Sequence, residues 1–398
     1  MKERLIGRRD FMKSTVAGMG GFVYLSSNEK GDKKQQKERK IIYRTLGKTG
    51  IKLPVISMGV MNADNPNLVR SALDNGIVHL DTAHIYQRGQ NERMIGDVLK
   101  GRPRDSYVIA TKVQIPKRLK EFLFPSERAT EETLFEQLDK SLKRLGLEYV
   151  DILYNHDISG RKSALFEPIL KAMGKAKSRG KTRFVGVSTH SNEPEVIQAA
   201  IDSKIYDVIL TSCNFRQKHS IQVREAVAKA AQAGLGIVAM KVMGGTVNDN
   251  SPGAKNTAAA LKWVLRDPNI HTSILGFTTF DQMNMDLAVM DNLSLTDSER
   301  KDLQIEASVP GLYCQGCGQC VHQCYGKLPI PDLMRAYMYT YGYRQSALAK
   351  DLVVSLDLPR QICEDCSLCP VKCVNGWNIA GKIRDIIRLR DVPPEFLA

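Results

Sequence analysis

From residue 55 onward, short apolar runs alternate with longer stretches whose apolar positions recur every three or four residues. The short runs predict strands at 55–61, 78–83, 107–113, 149–156, 183–190, 208–215, 236–243 and 272–277. Between them, "TEETLFEQLDKSLKRLG" and "VREAVAKAAQAG" carry the amphipathic helical period, the second closing on Gly234 as a C-terminal cap, and "TFDQMNMDLAVMDNL" supplies a last helix. Eight strand–helix units of this size predict an α/β chain closed into a (β/α)8 barrel. An open doubly wound sheet is the competing arrangement. That fold usually places G-x-G-x-x-G after its first strand, where this chain reads "GVMNAD".

The pattern fails at both ends. Residues 1–27 include "GRRDFMKSTVAGMGGFVYLSS", in which the paired Arg8 and Arg9 precede an apolar run too short and too rich in glycine to span a bilayer. This resembles a twin-arginine (Tat) export signal, which implies the Tat machinery as a partner and a periplasmic or envelope location; a cytoplasmic location is the alternative. Residues 28–40, "NEKGDKKQQKERK", have no apolar period and read as a charged linker. The barrel is expected over 41–295. A second domain, over 296–398, holds eight of the nine cysteines in two runs, "YCQGCGQCVHQC" and "CEDCSLCPVKC".

In a parallel barrel, chemistry sits where strands end at the C-terminal face. The polar residues at those ends are Asp81 on the second strand with Tyr86 just after it, Lys112 on the third and His156 on the fourth. An acid, a phenol, an amine and an imidazole on consecutive units form a candidate site.

The segments "YRTLGKTGIKLPVISMG", "HLDTAHIYQRGQNERMIGDVLK", "VIATKV", "LKRLGLEYVDILYNHD" and "RFVGVSTHS" resemble successive signatures of the aldo-keto reductase family. The resemblance implies a TIM barrel that uses NAD(P) to interconvert a small carbonyl compound and an alcohol. It implies the tetrad Asp81, Tyr86, Lys112 and His156, and a hairpin at "IYRTLGKTGIKLP" closing the barrel's bottom. Hydride reduction leaves an alkoxide that needs a proton, which Tyr86 would donate. A free phenol has a pKa of about 10, so Lys112 is expected to lower it, with Asp81 holding Lys112 and His156 orienting the carbonyl oxygen. For the cofactor the resemblance points to Ser188, Asn214 and the turn containing Gly276 and Thr278. The chain departs from the family in reading Ser188-Thr189-His190 after strand five and in lacking an aromatic residue after strand seven. It also lacks a Lys or Arg after strand eight, so NADP and NAD are not distinguished. Lys241 is expected to reach a phosphate or a cluster, or else to lie on the surface. Cys213 reads as a small buried hydrophobe.

Both cysteine runs follow C-x2-C-x2-C-x3-C, which resembles the ferredoxin run for cubane iron–sulfur clusters. In that pattern the fourth cysteine of each run serves the other cluster. One [4Fe-4S] cluster would then use Cys314, Cys317, Cys320 and Cys373, and the other Cys363, Cys366, Cys369 and Cys324. Zinc is the competing metal, though it more often takes two C-x2-C pairs. Gly316 and Gly318 suit a tight loop around such a group. The proline that typically follows the fourth cysteine is absent. "IPDLMRAYMYTY" and "NIAGKIRDIIRLR" read as helices, so the second domain is expected to be small, mainly helical, ferredoxin-like and to hold two clusters.

The net charge of +14 at first suggests a nucleic-acid partner, but residues 1–40 alone hold eleven Lys and Arg against five Asp and Glu. No basic stripe with interleaved aromatics occurs elsewhere, so neither nucleic-acid binding nor a membrane span is expected. The resulting expectation is an NAD(P)-dependent oxidoreductase coupled to, or stabilised by, two [4Fe-4S] clusters, with a redox partner possible. An iron–sulfur electron-transfer protein whose barrel is only a scaffold is the alternative.

Overall fold

The eight expected strands close into one barrel. In the computed structural model, which describes residues 40–115, 127–245, 256–308, 313–359, 362–363 and 369–397, a two-stranded hairpin comes first: β1 (Tyr43–Thr45) and β2 (Lys52–Pro54). The signal expected over 1–27, the linker up to residue 39, and Cys366 lie outside the described residues. The barrel strands follow as β3 (Ile56–Gly59), β4 (His79–Asp81), β5 (Val108–Val113), β6 (Val150–Asn155), β7 (Thr182–Thr189), β8 (Val208–Ser212), β9 (Gly236–Met240) and β10 (Thr272–Leu275). They pair in parallel and in sequence order, and β10 closes onto β3.

Side-chain alternation along these strands divides the apolar residues into two cores. Ala110, Ile152, Tyr154, Val208, Leu210, Val238 and Met240 fill the barrel interior, while Ile109, Leu153, Val187, Ile209 and Ile237 pack outward against the helices. The interior is stoppered from below by Leu46, Ile51 and Leu53 of the hairpin, as the family resemblance implied. Tyr154 is wholly buried, and room for its ring depends on Gly186, whose added Cβ would lie 2.6 Å from that ring and 2.7 Å from the Val208 carbonyl. The same period aims the site residues. Lys112 continues the inward row of Ala110, His156 that of Ile152 and Tyr154, and Asn214 that of Val208 and Leu210.

The helix Asp297–Ser308 belongs by its contacts to the barrel, although it lies past residue 295. Leu303 packs with Ala259, Ala260 and Phe215, and Lys262 pairs with Glu299 at 2.6 Å. Beyond it, the helices Ile330–Tyr341, Ser346–Ser355 and Ile379–Ile387 surround their own core of Leu333, Met334, Ala349, Val353, Ile383 and Ile386. The middle helix has no counterpart in the sequence reading. Its polar residues, Lys350 and Asp351, interrupt an otherwise apolar run too short to show a clear period.

This small domain lies across the C-terminal mouth of the barrel. Gln345 donates to Asn62 after β3 (2.8 Å), and Arg335 pairs with Asp157 after β6. Asn192, after β7, donates its amide to the Gly316 carbonyl (3.2 Å). Asn214, after β8, donates to Gln315 (3.0 Å), which in turn donates to the Gly244 carbonyl after β9 (3.1 Å). Arg88, after β4, pairs with Asp351 of the cap at 3.4 Å, so among the described residues six of the eight mouth loops are tied to the cap. Gly316 has φ +69°, and an added Cβ would lie 2.3 Å from the His190 carbonyl, so only glycine permits this approach. Among the described residues, no helix is long and apolar enough to cross a membrane.

His79 lies two residues before Asp81 on β4, fully buried, with neither ring nitrogen hydrogen-bonded among the described residues. Burial pulls its pKa down to about 4, so the folded protein holds it neutral. The unfolded chain, with a value near 6.5, binds the proton more readily, so this contribution is complete above pH ~6.5 and is lost as pH falls toward 4. At about 1.4 kcal/mol per unit the loss is of order 3 kcal/mol. Thermal melts between pH 7.5 and 4.5 should show His79→Leu losing less stability across that window than the native protein; parallel curves would refute the assignment.

Candidate active site and cysteine cavity

Asp81 ends β4 and Lys112 lies in β5, on neighbouring strands with inward-facing side chains. Their buried ammonium and carboxylate are in direct contact, and Lys112 also donates to the Thr82 carbonyl (2.7 Å). Burial lowers the Lys112 pKa and raises that of Asp81, each opposed by the charge of the other. The contact is therefore what keeps both charged.

Tyr86 opens a tight turn, Tyr86–Gly89, in which Gln87 and Arg88 take left-handed backbone angles (φ 48° and 54°). Backbone carbonyls of the loop after β3 hold that strained turn. Gln87 donates to the carbonyls of Met61 and Ala63 (3.2 Å each), and Asn91 to that of Val60 (2.7 Å). Glu92 accepts from Thr111 (2.7 Å) and pairs with Arg144 (3.1 Å). The Tyr86 ring is thereby brought under the Lys112 ammonium, 4.9 Å from its centroid, and edge-on to His156 at 6.2 Å. The four residues share one location at the barrel mouth.

One electrostatic expectation is corrected. Lys112 does not draw the phenol pKa down: burial raises it well above 10, and Asp81 raises it further. The reason is geometric. The ammonium is committed to Asp81 and Thr82 and faces the ring rather than serving the hydroxyl. Tyr86 is thus held in its proton-bearing form, which can donate but is not pre-ionised. Burial, reinforced by Lys112, pulls His156 well below 6.5, so its imidazole is neutral and can hydrogen-bond an oxygen without carrying charge. Its Nδ1 is buried with no partner among the described residues.

The residues that the family resemblance assigned to the cofactor fall into two groups. Ser188 is buried and accepts the Asp157 amide (2.9 Å), and Asn214 is engaged by Gln315. Gly276 and Thr278 are exposed beyond β10, where Thr279 caps the helix Phe280–Ala288 by accepting the Gln282 amide (3.2 Å). That helix start offers free amides and a positive dipole end, chemistry that suits a dinucleotide's phosphates. Cys213 is buried, and burial pushes its thiol up to about 12, as a structural residue requires.

Residues missed by sequence reading come mostly from the cap. Arg335 makes two bonds of 2.6 Å to Asp157 and one of 2.9 Å to Asp332, all three residues buried. A lone arginine among Leu333, Met334 and Ala336 was the available signal, because an apolar helix face buries a charge only against a partner. Tyr339 and Tyr343, stacked at 5.8 Å, face the site, and Tyr343 contributes to the electrostatic surroundings of Tyr86. Tyr337 and Tyr341 lie together at 4.5 Å on another face, beside Lys382.

Cys314, Cys317, Cys320 and Cys373 line one cavity of about 520 Å3, open to solvent, together with Arg216, Lys218 and Lys372. Burial and mutual repulsion push the Cys314 thiol up to about 11 and Cys320 to about 12. The Gly316 and Asn375 amides donate to the sulfurs of Cys314 and Cys373, each at 3.4 Å. Among the described residues, no three His, Cys, Asp or Glu side chains converge closely enough to hold a single metal ion. Of the second expected set, Cys324 and Cys363 pack against the cap's core and Cys369 is exposed.

A parallel barrel with an acid, a phenol, an amine and an imidazole at its C-terminal mouth is the architecture of a barrel oxidoreductase. Residues 57–254 match the Aldo/keto reductase family, a stretch that ends before the cysteine runs begin. L-galactose dehydrogenase of Arabidopsis thaliana is 28% identical over 312 residues, covering 67% of this chain and 94% of the plant protein. L-glyceraldehyde 3-phosphate reductase of Escherichia coli is 34% identical over 167 residues, 38% of this chain and 46% of that protein, so the match spans about half of that relative's length. The holo form of an aldo-keto reductase from Bacillus halodurans shares the fold, with a TM-score of 0.54 at 22% identity over 67% of this chain and 96% of the other. Over residues 57–254 the barrel is similar to the aldo/keto reductase family, and the protein is an NAD(P)-dependent aldo-keto reductase-like oxidoreductase.

Removing Arg335 leaves two buried carboxylates without their cation, a loss of about 3–5 kcal/mol for a buried pair. Urea unfolding of Arg335→Met should show a deficit of that order, partly recovered in the Asp157→Asn double variant; equal deficits in the single and double variants would remove the pair from its anchoring role.

Proposed function

We propose that the protein interconverts a small carbonyl compound and its alcohol, with Tyr86 as the proton donor to the substrate oxygen. His156 orients that oxygen, and the Asp81–Lys112 pair holds the mouth in register. NAD(P), when bound, supplies or accepts the hydride. The observation that carries this reading is the convergence of Tyr86, Lys112 and His156 from three successive strand–loop units, the Lys112 ammonium 4.9 Å and the His156 ring 6.2 Å from the Tyr86 ring centroid. A neutral imidazole and a protonated phenol form a donor pair suited to an oxygen that gains negative charge. The named relatives act on an aldose in one case and a phosphorylated aldehyde in the other, which supports a small hydroxylated aldehyde or its alcohol as the substrate class.

The cap is read as a ferredoxin-type domain for two [4Fe-4S] clusters. Four cysteines around one open cavity suit a polynuclear group better than zinc, whose donors must all lie about 2.0–2.3 Å from one ion. The grouping of Cys373 with the first run supports the crossed ligand set. Arg216, Lys218 and Lys372 offset the negative charge that bound thiolates would bring. The raised thiol pKa values mean that binding must displace protons, so assembly and the folding of the loop that carries Gln315 and Gly316 go together. Holding the cap in place is therefore the clusters' first role. A hydride delivers two electrons together while a cubane exchanges one, so exchange with the barrel would need a further carrier or a redox partner.

The paired Arg8 and Arg9 support folded export by the Tat machinery to the periplasm or envelope. Fractionation of cells expressing the native chain should place it outside the cytoplasm, and Arg8→Lys/Arg9→Lys should retain it; cytoplasmic recovery of both would end the export reading.

Anaerobic protein should contain iron and sulfide and no zinc. Cys373→Ser should lower iron to about half, as Cys314→Ser does, with cap-loop proteolysis increased in both. Tyr86→Phe should reduce carbonyl turnover by about 100-fold or more while leaving iron content and cofactor binding intact. Unchanged turnover would favour a scaffold barrel serving an electron-transfer cap.

A further inference from the structure

A second cavity, of about 270 Å3, lies between the cap and the mouth, outside the tetrad. Its polar lining is His190, Ser191, Lys241 and Arg335, beside Cys314 and Gly316, and it contains no carboxylate. Arg335 is already matched by Asp157 and Asp332. Lys241 is not matched: among the described residues its ammonium has no hydrogen bond and no ion pair. It follows β9 in a left-handed conformation, φ +56°, closed by the Gly244 amide donating to its carbonyl at 3.0 Å. A side-chain-bearing residue held in that region marks a position retained against local strain.

The cavity also reaches the reacting centre. The His190 ring lies edge-on to that of His156 at 6.4 Å, and its Nδ1 is buried with no partner among the described residues. Burial holds His190 well below 6.5, so it is neutral and its Nδ1 is free to donate in the appropriate tautomer.

We propose that this cavity is the anion subsite of the substrate pocket, where Lys241 Nζ and His190 Nδ1 receive a carboxylate or phosphate carried by the carbonyl substrate. This rests on the reading of Tyr86 and His156 as the reducing centre. With His190 standing between the anion and His156, the charged group is several bonds from the reacting carbon. A phosphorylated aldehyde or a sugar acid meets that condition; a 2-oxo acid, whose carboxylate adjoins the carbonyl, does not. The same oxyanion chemistry could come from the dinucleotide's phosphates. The substrate is favoured because the other walls are His190 and the cap's Arg335, rather than the exposed turn after β10.

The test uses the full holoprotein with glyceraldehyde and glyceraldehyde 3-phosphate, and inorganic phosphate as a binding probe. The native protein should prefer the phosphorylated aldehyde in kcat/KM by at least tenfold, and phosphate should compete with it. Lys241→Met should abolish the preference mainly through KM, Lys241→Arg should restore most of it, and His190→Phe should weaken it. Calorimetric phosphate binding, measured without turnover, should be lost in Lys241→Met. If binding is lost as expected while neither aldehyde is reduced, the subsite stands and the reductase reading falls. An unchanged preference in Lys241→Met overturns the subsite, as does a change confined to NAD(P) affinity or to iron content.

Discussion

Arg335 reaches from the first helix of the cap to Asp157, the residue directly after His156, and all of these groups are buried. Two charges withdrawn from water in this way persist only together, since either one alone would sit uncompensated in a medium of low polarity. The consequence is positional. The backbone that carries His156 is fixed from β6, the next amide is taken by Ser188, and the next carboxylate is taken by the cap. The imidazole therefore has little freedom to drift. Barrel and cap meet through the site rather than beside it.

Within that enclosure, charge is sparing. Lys112 and Asp81 neutralise one another, Tyr86 keeps its proton, and burial keeps His156 and His190 uncharged. Such a mouth offers neutral donors to an oxygen that becomes negative only during reaction, where a low-polarity setting makes each hydrogen bond count for more. Lys241 is the exception, an ammonium without a counter-charge among the described residues, and it lies on the side of the mouth that the cap closes.

The cap explains why the chain continues past a complete barrel. Its cysteine loop lies on the loops after β7, β8 and β9, and Gln315 bridges Asn214 to the Gly244 carbonyl. The loop has few apolar residues of its own, so a group bound by its sulfurs would do much to set its shape. Three hydrogen bonds join that loop to the barrel's rim.

The eight strands, and the polar residues at their ends, were legible in the sequence because they depend on short-range periodicity, whereas the hairpin stopper followed only from the family resemblance. A run of alternating or wholly apolar residues has one favourable way to bury itself, and the inward row Ala110, Lys112 follows from the same two-residue period. The helix Ile330–Tyr341 was legible for the same reason, to the residue. What the cap covers was not. The contacts of Arg335 with Asp157 and of Gln315 with Asn214 join residues 178 and 101 positions apart, and no local pattern encodes a partner at that range. The direction of the Tyr86 pKa was likewise decided only in three dimensions. Proximity to Lys112 could be inferred from neighbouring strands, but whether burial or the ammonium prevails depends on how densely the folded chain surrounds the phenol and where the amine points.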